Sequence, residues 1–286
     1  MLKKTSFFCA AIVCALNVCL ALPAAAQTSQ SPAAAPPADA DLAKQLTNPI
    51  ASLVSVPLQF NWDQPLGIDH DTRSTINFQP VVPLELNTDW NLILRWIMPY
   101  VSQPRLSDDG LPQAGVSDIV TSLFLSPSRP GKVIWGAGPV FQLPTTSDPV
   151  LGSGKWGIGP TAVVLQQAGG WTYGALVNHI WSFAGDDFTG GASRDDVNAT
   201  FLQPFLAYTT ANAVTYTVNM EASANWEADE DNWTAPLHVQ IAKLTKFGPF
   251  PMSMGAGAGY FTAAPGDNPD WRLRIVFTLL LPRHTP

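Results

Sequence analysis

From residue 53 to residue 282 the chain keeps one texture: segments of about ten residues in which apolar and polar side chains alternate, with turn residues between them. These segments fall near 53–62, 73–84, 89–99, 116–126, 132–143, 156–167, 171–183, 200–209, 213–224, 233–244, 251–261 and 271–282. A period of two puts successive side chains on opposite faces of a strand. After Leu22 no run reaches the roughly 18 apolar residues that a membrane helix needs, so a membrane-crossing form of this chain has to be a closed sheet. The connections alternate in length. Those at 63–72, 100–115, 144–155, 184–199, 225–232 and 262–270 are long, and those at 85–88, 127–131, 168–170, 210–212 and 245–250 are short. A soluble sandwich has no reason for that asymmetry, whereas a bacterial outer-membrane barrel has long extracellular loops and short periplasmic turns. The expected fold is all-β, an antiparallel up-and-down transmembrane β-barrel of about twelve strands.

Composition agrees with a sheet in lipid. Hydrophobic residues are 46% of the chain and charged residues 13%, about half the charged share of a soluble domain. Trp62, Trp156, Trp181, Trp226, Trp233 and Trp271 fall by the long loops, and Trp90, Trp135 and Trp171 by the short turns. Two levels of indoles are expected of a protein with two membrane interfaces.

The N-terminus reads as a secretory signal peptide over 1–26. Lys3 and Lys4 precede an apolar stretch from Phe7 to Leu22, and Ala24-Ala25-Ala26 offers a cleavage site before Gln27. Val18 stands where a lipoprotein signal ahead of Cys19 needs a small residue. All three cysteines (Cys9, Cys14, Cys19) lie in this leader, so the mature chain has no disulfide and no cysteine-based metal site. Losing Lys3 and Lys4 takes the formal charge from −7 to −9, which argues against nucleic acid as a partner. Residues 27–50 read as a disordered linker with one helix-compatible turn, Asp41 to Leu46, ended by Pro49. That turn belongs either in the periplasm or in the barrel mouth. The barrel itself is assigned to 51–286.

The alternation also sorts side chains between lipid and lumen. A charge on the lipid face at mid-depth costs about 2–4 kcal/mol, so charges within strands must point inward. The lumen-facing candidates are Arg73, Gln79, Arg95, Asp118, Asn219, Glu221, His238, Gln240, Arg272 and Arg274. In a closed barrel the last strand lies beside the first, which gathers Arg73, Arg95, Arg272 and Arg274 on one wall, with Asp118 and Glu221 elsewhere on the circumference. Two readings follow: a cationic wall that guides a carboxylate, or arginines paired with lumen acids in a narrow interior.

Nothing in the sequence specifies catalysis. No phosphate loop, dinucleotide fingerprint or metal-ligand spacing is present, and neither a cofactor nor a metal is expected. Paired loop acids such as Asp186-Asp187 form a solvated rim or bridge divalent cations to lipid headgroups. His179 and Ser182 are three apart and so lie on opposite faces of a regular strand, against a hydrolytic dyad. The chain is expected to be no enzyme. The alternatives to a small-solute channel are a non-conducting structural or ligand-binding barrel, and a lipid-modifying enzyme. The expected partners are outer-membrane lipid and lipopolysaccharide, a small-molecule solute and the barrel-assembly machinery.

Several stretches resemble the family described by the MetA pathway of phenol degradation. They are Phe78-Gln79-Pro80-Val81-Val82-Pro83, Asp89-Trp90-Asn91-Leu92-Ile93, Ile134 to Phe141, Gly152-Ser153-Gly154-Lys155-Trp156-Gly157, Trp171 to Leu176, Asn178-His179-Ile180-Trp181-Ser182 and Phe201-Leu202-Gln203-Pro204-Phe205. The resemblance covers nearly all of the mature chain. It implies a bacterial outer-membrane, transporter-like barrel passing small aromatic or hydrophobic compounds, and carries over no site residues. Where outer-membrane barrels usually end in an aromatic residue, this chain ends Pro282-Arg283-His284-Thr285-Pro286, leaving Phe277 or the leucines after it for the assembly machinery to read.

Overall fold

The computed structural model describes residues 38–67, 69–106, 110–185, 194–248, 250–265 and 269–281. The leader expected at 1–26, residues 27–37, Asp108, Asp109, Asp186, Asp187, Asp267 and His284 lie outside the described residues. One helix, α1 (Ala38–Gln45), precedes twelve antiparallel staves. These are β1 (Val54–Leu66), β2 (Asp71–Phe78 and Val81–Glu85), β3 (Trp90–Gln103), β4 (Gln113–Val116 and Ile119–Pro127), β5 (Val133–Leu143) and β6 (Trp156–Ala168). Then come β7 (Trp171–Ala184), β8 (Asn198–Thr209), β9 (Val214–Met220 and Ala222–Asn225), β10 (Trp233–Thr234 and Pro236–Phe247), β11 (Phe250–Phe261) and β12 (Trp271–Leu281).

Each stave pairs with its sequence neighbour, and β1 pairs with β12 from Val54↔Leu281 to Gln64↔Trp271, so the sheet closes on itself. The expected count of about twelve is met. Closure removes the exposed edges that an open sheet would carry into lipid. β2 is interrupted at Gln79-Pro80, because Pro80 has no N–H to donate to the ladder. Tight turns join the staves at one end, among them Gly169-Gly170, where Gly169 has φ +56°.

Two connections are shorter than expected. β1 runs on to Leu66 and β2 begins at Asp71, so the loop expected at 63–72 shrinks to residues 67–70. Its expected first residue, Asp63, is a ladder residue in register with Arg73 and Arg272. β3 likewise continues to Gln103 and pairs with Gln113–Val116, which cuts the loop expected at 100–115 to 104–112. The long-loop and short-turn ends remain distinct.

The outer face is apolar. Phe78, Leu125, Val164, Leu206, Val239 and Phe277 are all exposed and lie on successive parts of the wall, a belt far larger than a water-soluble monomer presents. Aromatic pairs mark its two rims. Trp226 and Trp233 meet edge to face at 6.0 Å at the long-loop end. Trp90 and Trp135 at 5.9 Å and Trp171 and Tyr208 at 4.8 Å mark the short-turn end.

Candidate functional site

The side chains turned away from the belt enclose a narrow lumen whose two halves differ chemically. From β9 round through β12 to β3 the inner face is polar and charged. The buried Asn61 and Asp63 of β1, Thr215 and Asn219 of β9, His238 of β10, and Arg274 and Thr278 of β12 all belong to it. From β3 through β7 the inner face carries an apolar patch, set among buried polar residues such as Ser122, Ser126, Gln142 and Thr161. Ile93, Phe124, Val163, Leu165 and Leu176 pack into one buried cluster, flanked by Val81, Ile134, Phe201 and Phe205. Here both faces of the wall are apolar, as Leu165 inside and Val164 outside show.

The segment before β1 fills the short-turn end of the lumen. Ala43 of α1 packs with Ala213, Leu244 and Leu280, and Leu42, Leu46 and Leu53 lie against them. Asp39 and Asp41 stand in the first turn of the helix and Lys44 in its last, matching the helix dipole. Beyond it, Ile50 enters the apolar cluster. Polar contacts fix the segment to the wall. Thr47 Oγ1 donates to Thr172 Oγ1 at 2.8 Å, and Gln167 Nε2 donates to the Lys44 carbonyl at 3.0 Å. Of the two places open to the 41–46 turn, the structure selects the barrel mouth.

Above this plug is a cavity of about 290 Å³. Its polar lining includes Gln59, Gln79, Arg95, Asn219, Glu221 and Arg274, and Val81 and Phe205 bring the apolar half to its side. Nearer the long loops stands a belt of ion pairs. Asp63, fully buried, accepts from Arg73 (Nε 3.1 Å, Nη2 2.8 Å) and from Arg272 (Nε 2.5 Å, Nη2 2.8 Å). Arg272 also lies 5.2 Å from the centre of the Phe261 ring. Arg274 bonds both oxygens of Glu221, at 2.7 and 2.8 Å, and donates from Nε to Asn61 Oδ1 at 2.7 Å. Bidentate pairs of this kind hold both partners in one geometry. Asn219 Nδ2 donates to Glu221 at 3.3 Å and its Oδ1 accepts from Gln240 at 3.1 Å, extending the network round the wall.

The structure thus brings Arg73, Gln79, Arg95, Asn219, Glu221, Gln240, Arg272 and Arg274 into one lumen. Of the two readings of the arginines, pairing with lumen acids holds for three of the four, and one acid responsible, Asp63, lies in a segment expected to be a loop. Asp118 does not join the network. It sits at the long-loop end, where it accepts from Thr146 N at 3.2 Å, Ser153 Oγ at 2.8 Å and Gly154 N at 2.8 Å, because the 144–155 loop presents three donors to it. His238 is buried against Gly259, where a Cβ would lie 2.5 Å from its Cδ2, and its ring nitrogens meet no hydrogen-bond partner among the described residues. Missed from the sequence were Gln59, Asn61 and Asp63 of β1, Phe205 and the plug residues beyond the turn, Thr47 to Leu53.

His179 and Ser182 are held apart. His179 Nδ1 shares a hydrogen bond of 2.7 Å with Thr200 Oγ1, while Ser182 Oγ donates to Asp196 and accepts from Val197 N. Among the described residues no group of three or more His, Cys, Asp or Glu is placed to hold a metal ion.

No family model and no curated protein matches the sequence. Solved structures do match. A COG4313 outer membrane channel from Pseudomonas putida F1 aligns over 80% of this chain and 96% of its own, at 17% identity and a TM-score of 0.63. The NanC porin aligns over 80% and 100% respectively, at 9% identity and a TM-score of 0.50. At these identities the likeness is one of architecture. The chain has the fold of outer-membrane channel barrels.

Proposed function

We propose that this protein is an outer-membrane channel for small solutes, exported by its N-terminal leader and inserted with its short turns toward the periplasm. The observation that carries the reading is the lumen itself: a closed twelve-stave barrel holds a cavity lined by charged groups on one side and by apolar groups on the other, above a plug formed by the chain's own N-terminal segment. A structural barrel with nothing to pass has no need of an interior that presents both chemistries. The lumen suits an amphipathic small molecule better than a hydrated ion, and the resemblance to the phenol-degradation family supports aromatic or hydrophobic compounds as the cargo.

This reading assigns no catalysis. What supports that is the separation of His179, bonded to Thr200, from Ser182, engaged by Asp196 and Val197. The test is single-channel recording of the refolded chain in a planar bilayer under a salt gradient, with folding confirmed by heat-shifted gel mobility. Discrete openings are expected. Silence from folded protein, with solute binding retained, would replace the channel by a ligand-binding barrel. A change in the surrounding lipid would replace it by an enzyme.

A further inference from the structure

Among the described residues, the charged network of the lumen sets four guanidinium groups, of Arg73, Arg95, Arg272 and Arg274, against the carboxylates of Asp63 and Glu221. Arg73 and Arg272 share Asp63, and Arg274 takes both oxygens of Glu221. Arg95 forms no ion pair among the described residues. Its guanidinium has a long contact of 3.4 Å to Gln79 Oε1, and it lines the cavity. Glu221 lines the same cavity, but its oxygens are already engaged by Arg274. A cation inside a protein is costly unless something of opposite charge meets it. Of these four arginines Arg95 alone has no carboxylate partner among the described residues, so the cavity favours one incoming negative charge on it.

The rest of the cavity defines what that charge is attached to. Phe205 and Val81 lie in the same lining as Arg95, and both adjoin the apolar cluster. The volume, about 290 Å³, is at the small end of ligand pockets, which run from roughly 300 to 1,000 Å³. We infer that Arg95 is the anchor of a binding subsite for a small monocarboxylate with an apolar body, the carboxylate on the guanidinium and the body against Phe205 and Val81. Arg is the residue suited to this task, because its planar fork meets a carboxylate through two parallel hydrogen bonds. The inference rests on the channel reading and adds to it a solute class and a residue.

The test is calorimetric titration of the folded chain in detergent with three probes: benzoate, benzyl alcohol and inorganic phosphate. Benzoate is expected to bind at one site, benzyl alcohol at least ten-fold more weakly, and phosphate not to compete. R95Q is expected to weaken benzoate by about ten- to a hundred-fold, the loss of a charged hydrogen-bond partner, and to leave benzyl alcohol unchanged. R95K should retain part of the benzoate affinity. The comparison of probes on the unaltered chain needs no variant to fold. Equal binding of benzoate and benzyl alcohol, or benzoate binding indifferent to R95Q, would overturn the carboxylate subsite and leave the channel standing. Competition by phosphate would overturn the requirement for an apolar body. Absence of binding together with absence of conductance would overturn both readings.

Discussion

Asp63 offers the sharpest test of how this interior is held. It is fully buried, and its cross-strand neighbours on the two flanking staves are Arg73 and Arg272, so one carboxylate joins three consecutive staves across the closure of the barrel. Asp63→Asn removes the charge, keeps the shape and leaves two guanidinium groups facing one uncharged amide. Removing one partner of a buried ion pair costs about 3–5 kcal/mol. Two features moderate that figure. The Arg73 side chain is 28% exposed and water reaches it, and Arg272 has Glu221 at 3.7 Å as a second carboxylate. The expected loss is therefore at the low end, about 3 kcal/mol. The control is Asp89→Asn. Its pair with Arg129 is mostly solvent-exposed on both sides, and such pairs contribute about 0–1 kcal/mol. Both variants are read by guanidinium unfolding in liposomes followed by tryptophan fluorescence, with equal slopes required before midpoints are compared. Adding Arg272→Gln to Asp63→Asn should recover part of the loss, which a double-mutant cycle measures. If Asp63→Asn is no more damaging than Asp89→Asn, the buried belt does not hold the wall.

Ile50→Asp puts a carboxylate into the apolar cluster formed with Phe124, Val163 and Leu176 and should drive the plug from the lumen. Single-channel recordings should then show larger or more frequent openings than the parent chain. Gly259→Ala places a methyl group against the His238 ring and should cost about 1–3 kcal/mol by overpacking, read in the same unfolding assay. At the long-loop end, the hydrogen bond and charge of Arg105 hold the exposed Asp69 carboxyl below the usual carboxylate range. A lowered value means that the contact is complete above about pH 4, the unfolded value, and is lost as pH falls through the folded one. Carboxyl-carbon NMR titration should show Asp69 titrating low in the parent and higher in Arg105→Gln.

The staves were legible because water and lipid sort side chains in the same way along them. β9 and the first half of β12 alternate, and Arg272, Arg274, Asn219 and Glu221 share one hydrogen-bonded network inside the barrel. Legibility failed where that contrast fades. Trp62-Asp63-Gln64-Pro65-Leu66-Gly67 carries the marks of a turn, yet Asp63 is a strand residue, because its partners Arg73 and Arg272 are remote in sequence and only closure brings them near. The apolar half of the lumen was hidden for the opposite reason. Leu92, Ile93 and Leu94, or Val163, Val164 and Leu165, offer no polar face to say which side is inside. The plug was recognised only as a helical turn, since Ile50 finds its partners more than forty residues away.

Before it closes, a barrel has two edges, and here they are β1 and β12. Each offers a row of unpaired backbone groups that another copy of the chain could adopt. Their inward charges decide which edge is acceptable. Two β12 edges meeting would set Arg272 and Arg274 against their own kind, and two β1 edges would crowd Asp63 against Asp63. Only β1 against β12 joins opposite signs, in the register that sets Asp63 opposite Arg272 and Asn61 opposite Arg274. The belt of ion pairs therefore disfavours pairing of like edges, β1 with β1 or β12 with β12, and favours the single register in which β1 and β12 bring opposite signs together.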